Sequence, residues 1–589
     1  MSAQRVRTYV HTSILVLTAL AAARVDADTL RVPSQFPNIQ AAIDAAVNGD
    51  TVLVADGRYS GLGNIGLDFG GKAITVRSEH GPGSTTIDCQ RQDRGFIFQN
   101  DEPPEAILEG LTISDGLASA ESIGGPAGGG ILVLTGSPTI RDCHIISCEA
   151  NNSGGGLYAD TGASPTVRNC TIADNTASNG GGGLLLRGGE AAIAGCTITR
   201  NQTTFGSGGG ILIIEGQPTL RNCSITDNTA AGRGGGMSAS SRRAELSIED
   251  CRIAGNVSGS FGGGVSLWWA STIANCVIEG NEALYGGGGV SCALGVTIRN
   301  CTIRGNVASG KGAAGAGIYA WWRFTTIVDS CVISDNWILQ DGIGAGVFCD
   351  SSASIIRNCT IVRNRTSKGS GGGLAYSGTG QHTLANCTVA ANSAMSFGGG
   401  VLGAEWGAVL VNDSIIWDNS AAEGGQLALL DSSTVDVFYS DVRGGPAAIH
   451  IAPNAVLSWA VGNIVTPPQF VSSPLNFHLR LDSPCIDAGD PAALHAGQAD
   501  IDGELRVWNG RVDMGSDEFG SFRFGDLNCD GRADGGDIDA FFLALGDPAG
   551  YSVVFSGCDI LLGDMNGDGL VDGADIDPFF ACLGGGPCP

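Results

Sequence analysis

Two stretches near the C-terminus place oxygen-bearing side chains at the spacing of a cation loop. In residues 526–537, Asp526, Asn528, Asp530, Asp534 and Asp537 fall at positions 1, 3, 5, 9 and 12, with Gly531 at position 6. Residues 564–575 repeat this with Asp564, Asn566, Asp568, Asp572 and Asp575 around Gly569. Calcium takes six to eight oxygens in flexible geometry, and glycine permits the sharp turn that brings them round the ion. Both loops are therefore predicted to bind Ca2+. Each runs into Ile-Asp-x-Phe-Phe (538–542 and 576–580), an apolar helix face by which two such halves would pack together.

A second set of residues suits sugar chemistry. Trp268-Trp269 and Trp321-Trp322 occupy equivalent places two units apart in an internal repeat, with Tyr319 in a neighbouring column. Rings exposed on a rod form a stacking platform, and two units correspond to about 10 Å, a spacing that fits a sugar chain lying along a groove. The competing reading is that a loop folds over the rings and buries them. Asp160 and Arg187, near Glu190 and Glu215, are the candidates for a catalytic site. No paired-carboxylate motif sharpens that assignment. Other charges, Asp174, Arg200 and Asp227 or Glu279 and Arg304, alternate in sign from unit to unit and read as ordinary salt bridges between neighbouring strands.

The repeat that positions these residues runs clearly over residues 128–425. Its ruler is cysteine: Cys143, Cys170, Cys196, Cys223, Cys251, Cys276, Cys301, Cys331, Cys359 and Cys387 are separated by 25 to 30 residues. Within a unit the apolar positions alternate with period two, as in Leu220-Arg221-Asn222-Cys223-Ser224-Ile225, which predicts short strands without helices between them. One such coil cannot bury its inward face, so coils must stack on a shared core. Cys and the Ile two residues later are predicted to point inward. Asn recurs just before Cys (Asn169, Asn222, Asn275, Asn300, Asn358, Asn386), with Asn412 read into the same column, and again in a column from Asn175 to Asn392. Both columns are expected to be structural, since Asn tolerates left-handed turns and can bond to its equivalent in the next coil.

This organisation resembles the right-handed parallel β-helix family of pectate lyase-like proteins, over residues 28–465. Phe36 to Ala46 is similar to the short amphipathic helix that caps the first coil in that family, with Ile39, Ala42, Ile43 and Ala46 on one face. The resemblance implies an all-β solenoid with an N-terminal helical cap. Members with lyase activity gather carboxylates for calcium beside a basic residue, and hydrolase cousins pair two carboxylates. The two C-terminal loops resemble the dockerin type I module, a small EF-hand-like helical domain here spanning residues 523–589. That resemblance implies that the ten loop residues named above are calcium ligands and that a cohesin-like protein is the partner. Gly535-Gly536 and Gly573-Ala574 stand where many dockerins carry Ser-Thr, which leaves the partner open. Residues 466–522 are similar to the terminal segment that follows the β-helix in many exported bacterial proteins, and are expected to cap the rod.

Residues 1–27 read as a signal peptide: Arg5 and Arg7 precede an apolar stretch from Ser13 to Ala23 that is too short for a stable membrane span. A net charge of −27 argues against nucleic acid, and no later apolar run is long enough to cross a bilayer. The expected location is secreted or cell-surface. The ladder cysteines are read as buried thiols; Cys485, Cys529, Cys558, Cys582 and Cys588 are the better disulfide candidates, with pairing open. Two functions of different class remain: a protein that binds or processes extracellular polysaccharide, as a lyase or glycoside hydrolase if it is an enzyme, or a non-catalytic surface or adhesive rod.

Overall fold

The computed structural model describes residues 27–584 apart from 123, 241–244, 323, 352, 493–497, 504, 508–509, 520–523, 530–532 and 556–557. Residues 1–26 of the predicted signal segment, together with Asp530 and Cys588, lie outside the described residues. From Thr29 to Trp459 the chain winds as a parallel β-solenoid whose coils feed three long sheets of 17, 15 and 15 strands and a fourth sheet of ten two-residue strands. One coil shows the plan. Thr272–Ala274 lies on the first face and Val277–Glu279 on the second; Glu282–Ala283 forms the short corner strand, and Val290–Cys292 lies on the third face. The next coil repeats each strand in register, Val290 beside Ile318 for example. Ile273, Cys276, Ile278, Val290 and Cys292 all face one continuous core.

Two kinds of asparagine hold the corners. Asn169, Asn222, Asn275, Asn300, Asn358 and Asn386 take the left-handed backbone that turns the first face into the second, with φ between 50° and 54°. Asn412 does not. It ends a longer strand, and Asp413 takes the left-handed position instead. The other column is fully inside and is not left-handed; the residue before each Asn supplies that turn, as Asp227 does with φ 56°. In this column each amide is saturated by its neighbours. Asn281 donates from Nδ2 to Ile253 O at 2.9 Å and to Asn306 Oδ1 at 3.0 Å, while its own Oδ1 accepts from the backbone N and Nδ2 of Asn256. The column runs through Asn419, where Gln426 closes it by bonding both the side chain and the backbone of Asn419.

The glycine runs follow from this ladder. A Cβ on the third glycine of a run would meet both the Asn and a glycine carbonyl of the next coil: at Gly264 the obstacles are Gly289 O at 2.7 Å and Asn281 Nδ2 at 3.1 Å. The ladder cysteines are free, buried thiols, each donating to carbonyls of its own and the preceding coil, as Cys276 does to Ala274 and Ile248.

Helix α1 (Ile39–Ala45) closes the N-terminal end, its first turn capped by Asn38 and its Ile39, Ala42 and Ile43 face packed on the core. At the other end the segment after residue 465 turns back along the flank of the rod. Ser516 bonds Thr360 and Thr388 on the second face, at 2.7 and 3.1 Å, while Cys485 and Met514 pack on Ile415 and Trp417. The fully buried Arg506 ties this segment together by donating to the carbonyls of Asp513, Gly515 and Ser516. Cys485 is not in a disulfide, contrary to expectation; its thiol is enclosed and donates to Asp441. Beyond it, α2 (Ile538–Gly546), α3 (Pro548–Val554) and α4 (Ile576–Leu583) surround a separate small core in which Phe541 stacks on Phe579 at 3.9 Å. Cys529 and Cys558 are bonded to each other there. No described helix is long and apolar enough to cross a membrane.

Two expectations follow. Asn281→Ala strips an acceptor from Asn256 and a donor from Ile253 in a dry interior, and should lower unfolding stability by about 3 kcal/mol in urea titrations. Burial pushes Asp441 up to about 7, and burial together with Glu518 pushes Asp513 up to about 8. A carboxyl whose folded value lies above its unfolded one stabilises the fold while protonated. That contribution is complete at low pH and is lost as pH rises through about 7 and then about 8. Hydrogen exchange across residues 485–519, corrected for intrinsic rate, should therefore show faster local opening at pH 9 than at pH 6.

Candidate functional site

On the third face, the first and third residues of each strand enter the core and the second points out. In the N-terminal half the outward column is apolar and covered: Ile97, Leu132, Tyr158, Leu185 and Leu212 pack on one another. Asp160 and Arg187 sit at its edge. The structure brings them together, Arg187 Nη1 lying 3.5 Å from Asp160 Oδ1, with the Tyr158 hydroxyl donating to the same oxygen at 3.2 Å and accepting from Arg187 at 3.4 Å. Burial raises the Tyr158 phenol, and the Tyr158 contact leads the upward shift of the Arg187 guanidinium. The three groups thus satisfy one another.

Farther along the same face the outward residues become aromatic. Tyr319 stacks on Phe348 with ring centres 5.7 Å apart and planes nearly parallel, and Phe261 lies 5.9 Å from Tyr319. Trp268 and Trp321 meet edge to face at 4.9 Å. The expected 10 Å separation is therefore wrong. The coil between them carries the small, buried Ala293 at that position, and the two indoles close over it. Trp322 lies 5.5 Å from Trp321, and Trp269 lies 6.5 Å from Phe324. Trp268, Trp269, Tyr319 and Trp321 are half-buried, while Trp322 is 39% exposed. Trp322 also holds φ at +81°, a conformation that is costly for a bulky side chain and that concentrates at functional sites.

Arg233 occupies the middle of this cluster. Its guanidinium carbon lies 4.6 Å from the Trp268 ring centre, 5.2 Å from Phe261 and 5.4 Å from Trp321. Burial lowers its proton affinity. Tyr319 is pushed up to about 12, by burial first and then by Asp350, whose carboxylate lies 3.5 Å from its hydroxyl. Arg233 and Phe261 did not emerge from the sequence because both stand just before a glycine run, outside the strand columns. The readable signal was there: Ser207, Arg233, Phe261, Gly286 and Ala314 are equivalent coil by coil, and two of them break a series of small residues.

The second face carries an open groove of about 580 Å³ floored by Gly255, Gly280 and Gly305. Four of the charged residues that line it are in ion pairs. Glu279 binds Arg304 at 2.6 Å and Arg252 at 2.7 Å, and Asp335 binds Arg363 at 2.8 Å. Arg200 pairs with Asp174 at 2.7 Å in the same way. Such exposed pairs are worth about 0–1 kcal/mol each and align neighbouring coils.

In the terminal unit the two loops have matching geometry. Asp537 accepts from the backbone N of Asn528 and Asp534, both at 2.9 Å; Asp575 accepts from Asn566 at 3.0 Å and Asp572 at 2.9 Å. Asp564 accepts from the N–H groups of Gly567, Asp568 and Gly569, and Asn566 and Asp568 bond to each other. Asp526, Asp537 and Asp575 are fully enclosed and Asp564 nearly so.

Solved structures to which this chain is similar include the following three. A pectate lyase is 13% identical, with a TM-score of 0.25, covering 83% of this chain and 96% of its own. A mannuronic acid specific polysaccharide family 6 lyase from human gut microbiota is 10% identical, with a TM-score of 0.28, covering 72% and 91%. A surface adhesin of Streptococcus pneumoniae is 10% identical, with a TM-score of 0.18, covering 72% and 86%. No curated protein matches the sequence. The family described as right-handed β-helix region matches residues 129–307 and 270–437, which together make up more than half of the chain. With its in-register coils, inward Cys and Ile columns and asparagine ladder, the chain belongs to the right-handed β-helix family.

Proposed function

We propose that this chain is an exported polysaccharide-binding rod that grips a sugar chain on its third face, with the terminal unit as a calcium-dependent attachment element. The observation that carries this reading is Arg233 held among Phe261, Trp268 and Trp321, with Trp322 open beside them. Indole faces stack on the C–H faces of sugars. A guanidinium fixed between rings keeps its fork of N–H donors oriented for a carboxylate, which favours uronic acid polymers. Binding is preferred to catalysis because Asp160 is engaged by Arg187 and Tyr158 rather than facing a second carboxylate. A surface rod that adheres through the same rings to a non-sugar partner is the second reading.

The terminal loops fit Ca2+. Asp526, Asp537, Asp564 and Asp575 are carboxylates withdrawn from water, and a divalent cation at the centre of each loop would offset the gathering of such anions. An all-oxygen donor set, with Asn528, Asp534, Asn566, Asp568 and Asp572 beside them and Asp530 in sequence, selects a hard divalent ion. When bound, the ion supplies the positive charge that holds each loop closed against α2 or α4. Phe542 and Phe580, exposed and 6.4 Å apart, offer a paired apolar contact for a cohesin-like protein.

Trp268→Ala and Arg233→Ala should each weaken binding to a polyuronate by roughly tenfold or more in calorimetric titrations, with Arg233→Ala losing the preference over a neutral glucan. Wild-type affinity in both variants would remove the site, and release of new reducing ends by the native protein would restore the catalytic reading. Chelation should lower the melting of the terminal unit. At a hundredfold excess over Kd, calcium adds about 2.7 kcal/mol for one site, so scanning calorimetry should resolve the shift, reversed on adding calcium back.

A further inference from the structure

The flank segment brings together a histidine and two carboxylates that none of the foregoing uses. His478 Nε2 lies 2.8 Å from Asp502 Oδ2, and one ligand atom from each of His478, Asp502 and Asp517 falls within 4.8 Å of the others. Among the described residues this is the only group of that kind. It is not a surface accident of like charges. Asp517 is 5% exposed, and its Oδ2 is fixed by the backbone N–H of Leu479 at 2.7 Å. His478 is half-buried, with Nδ1 directed at Asn476 Oδ1, which leaves Nε2 as the atom turned toward the two carboxylates.

All three residues line a cavity of about 470 Å³. Its other walls come from Thr360 and Arg363 on the second face and from Phe555 and Cys558 in the terminal unit. Arg363 does not compete for the carboxylates, since it is paired with Asp335 and donates to Pro474 O. The cavity supplies what a bare triad lacks: room for water to complete a coordination shell.

We propose that His478, Asp502 and Asp517 form a site for a divalent first-row transition ion of the zinc class, separate from the calcium loops. One imidazole nitrogen with two carboxylates matches the borderline donors such ions take, whereas Ca2+ prefers oxygen alone. Orientation of Nδ1 by an outer acceptor and of the carboxylate by a backbone N–H is the support that ligating residues receive in metal sites. Binding exchanges the proton between His478 and Asp502 for the ion, so it releases a proton as it joins residues 478, 502 and 517 at one point. The site would thus clasp the flank segment where the rod and the terminal unit meet.

The test uses the full chain, stripped with chelator and resaturated with Ca2+, titrated with CoCl2 and followed by its visible spectrum and by calorimetry in two buffers of different ionisation heat. The expected result is one Co2+ per chain with proton release, weakened about tenfold or more in both His478→Gln and Asp502→Asn. Asp502 is the more exposed member, so its variant keeps the fold and stands even if His478→Gln does not. No Co2+ uptake by the native chain, or equal uptake by native and Asp502→Asn protein, overturns the proposal and leaves an ion pair that only staples the segment.

Discussion

The buried asparagine ladder constrains everything else in the rod. Each amide sits in a dry interior, where an unmet donor or acceptor costs about 1–3 kcal/mol, so every coil must present its Asn at the same height and angle. That demand fixes the corner before it, where Asp227 or Gly280 turns left-handed, and the glycine run across from it, where a Cβ would strike the amide. Coil length can still vary elsewhere. The gap between Cys301 and Cys331 is 30 residues against 25 in the coil before, and the excess is spent around Lys311 and Trp322 rather than at the ladder.

With the inside fixed, the outside is free to vary, and its variation is spatially ordered. The third face passes from a covered aliphatic column to an aromatic one, so the rings occupy a defined stretch of the rod. The cluster is asymmetric: Arg233 comes from one coil, Phe261 and Trp268 from the next, and Trp321 from a coil two farther on. Contraction over Ala293 makes it a single patch instead of two separated platforms. Under the proposed reading, such a compact patch would meet only a short stretch of a sugar chain, so affinity for a long polymer would come from the contact of Arg233 with its carboxylates and from repeated encounters along the chain.

Much of this was legible in the sequence, for a physical reason. A solenoid contacts only its neighbours, so period, inward Cys and Ile columns and the buried Asn column all project directly from spacing to structure. The same logic read the pairs Arg200–Asp174 and Arg304–Glu279 correctly. It failed where a side chain leaves its own column. Trp268 and Trp321 were placed by rise per coil, but rings bend toward each other when the residue between is small. Arg233 was missed because the corner before a glycine run was treated as spacing. The flank segment was read as a cap over the end, yet Ser516 reaches Thr360 and Thr388 more than a hundred residues away, a contact that no local pattern encodes.

That flank contact also explains where buried charge accumulates. A stacked coil satisfies its polar groups by repetition, but residues 466–519 must be accommodated on a face that was already complete. They do so with carboxylates turned inward, Asp513 and Asp517 among them, met by backbone N–H groups, while the buried Arg506 donates to carbonyls and its charge offsets part of the burial of Asp513. The result is a joint whose packing depends on protonation, between a rod whose ladder is uncharged and a terminal unit whose loops hold carboxylates at their centres. The ladder itself has nothing to titrate, so the carboxyls that burial raises to near neutral pH, Asp441 on the last coils of the rod and Asp513 beside it, gather at this joint.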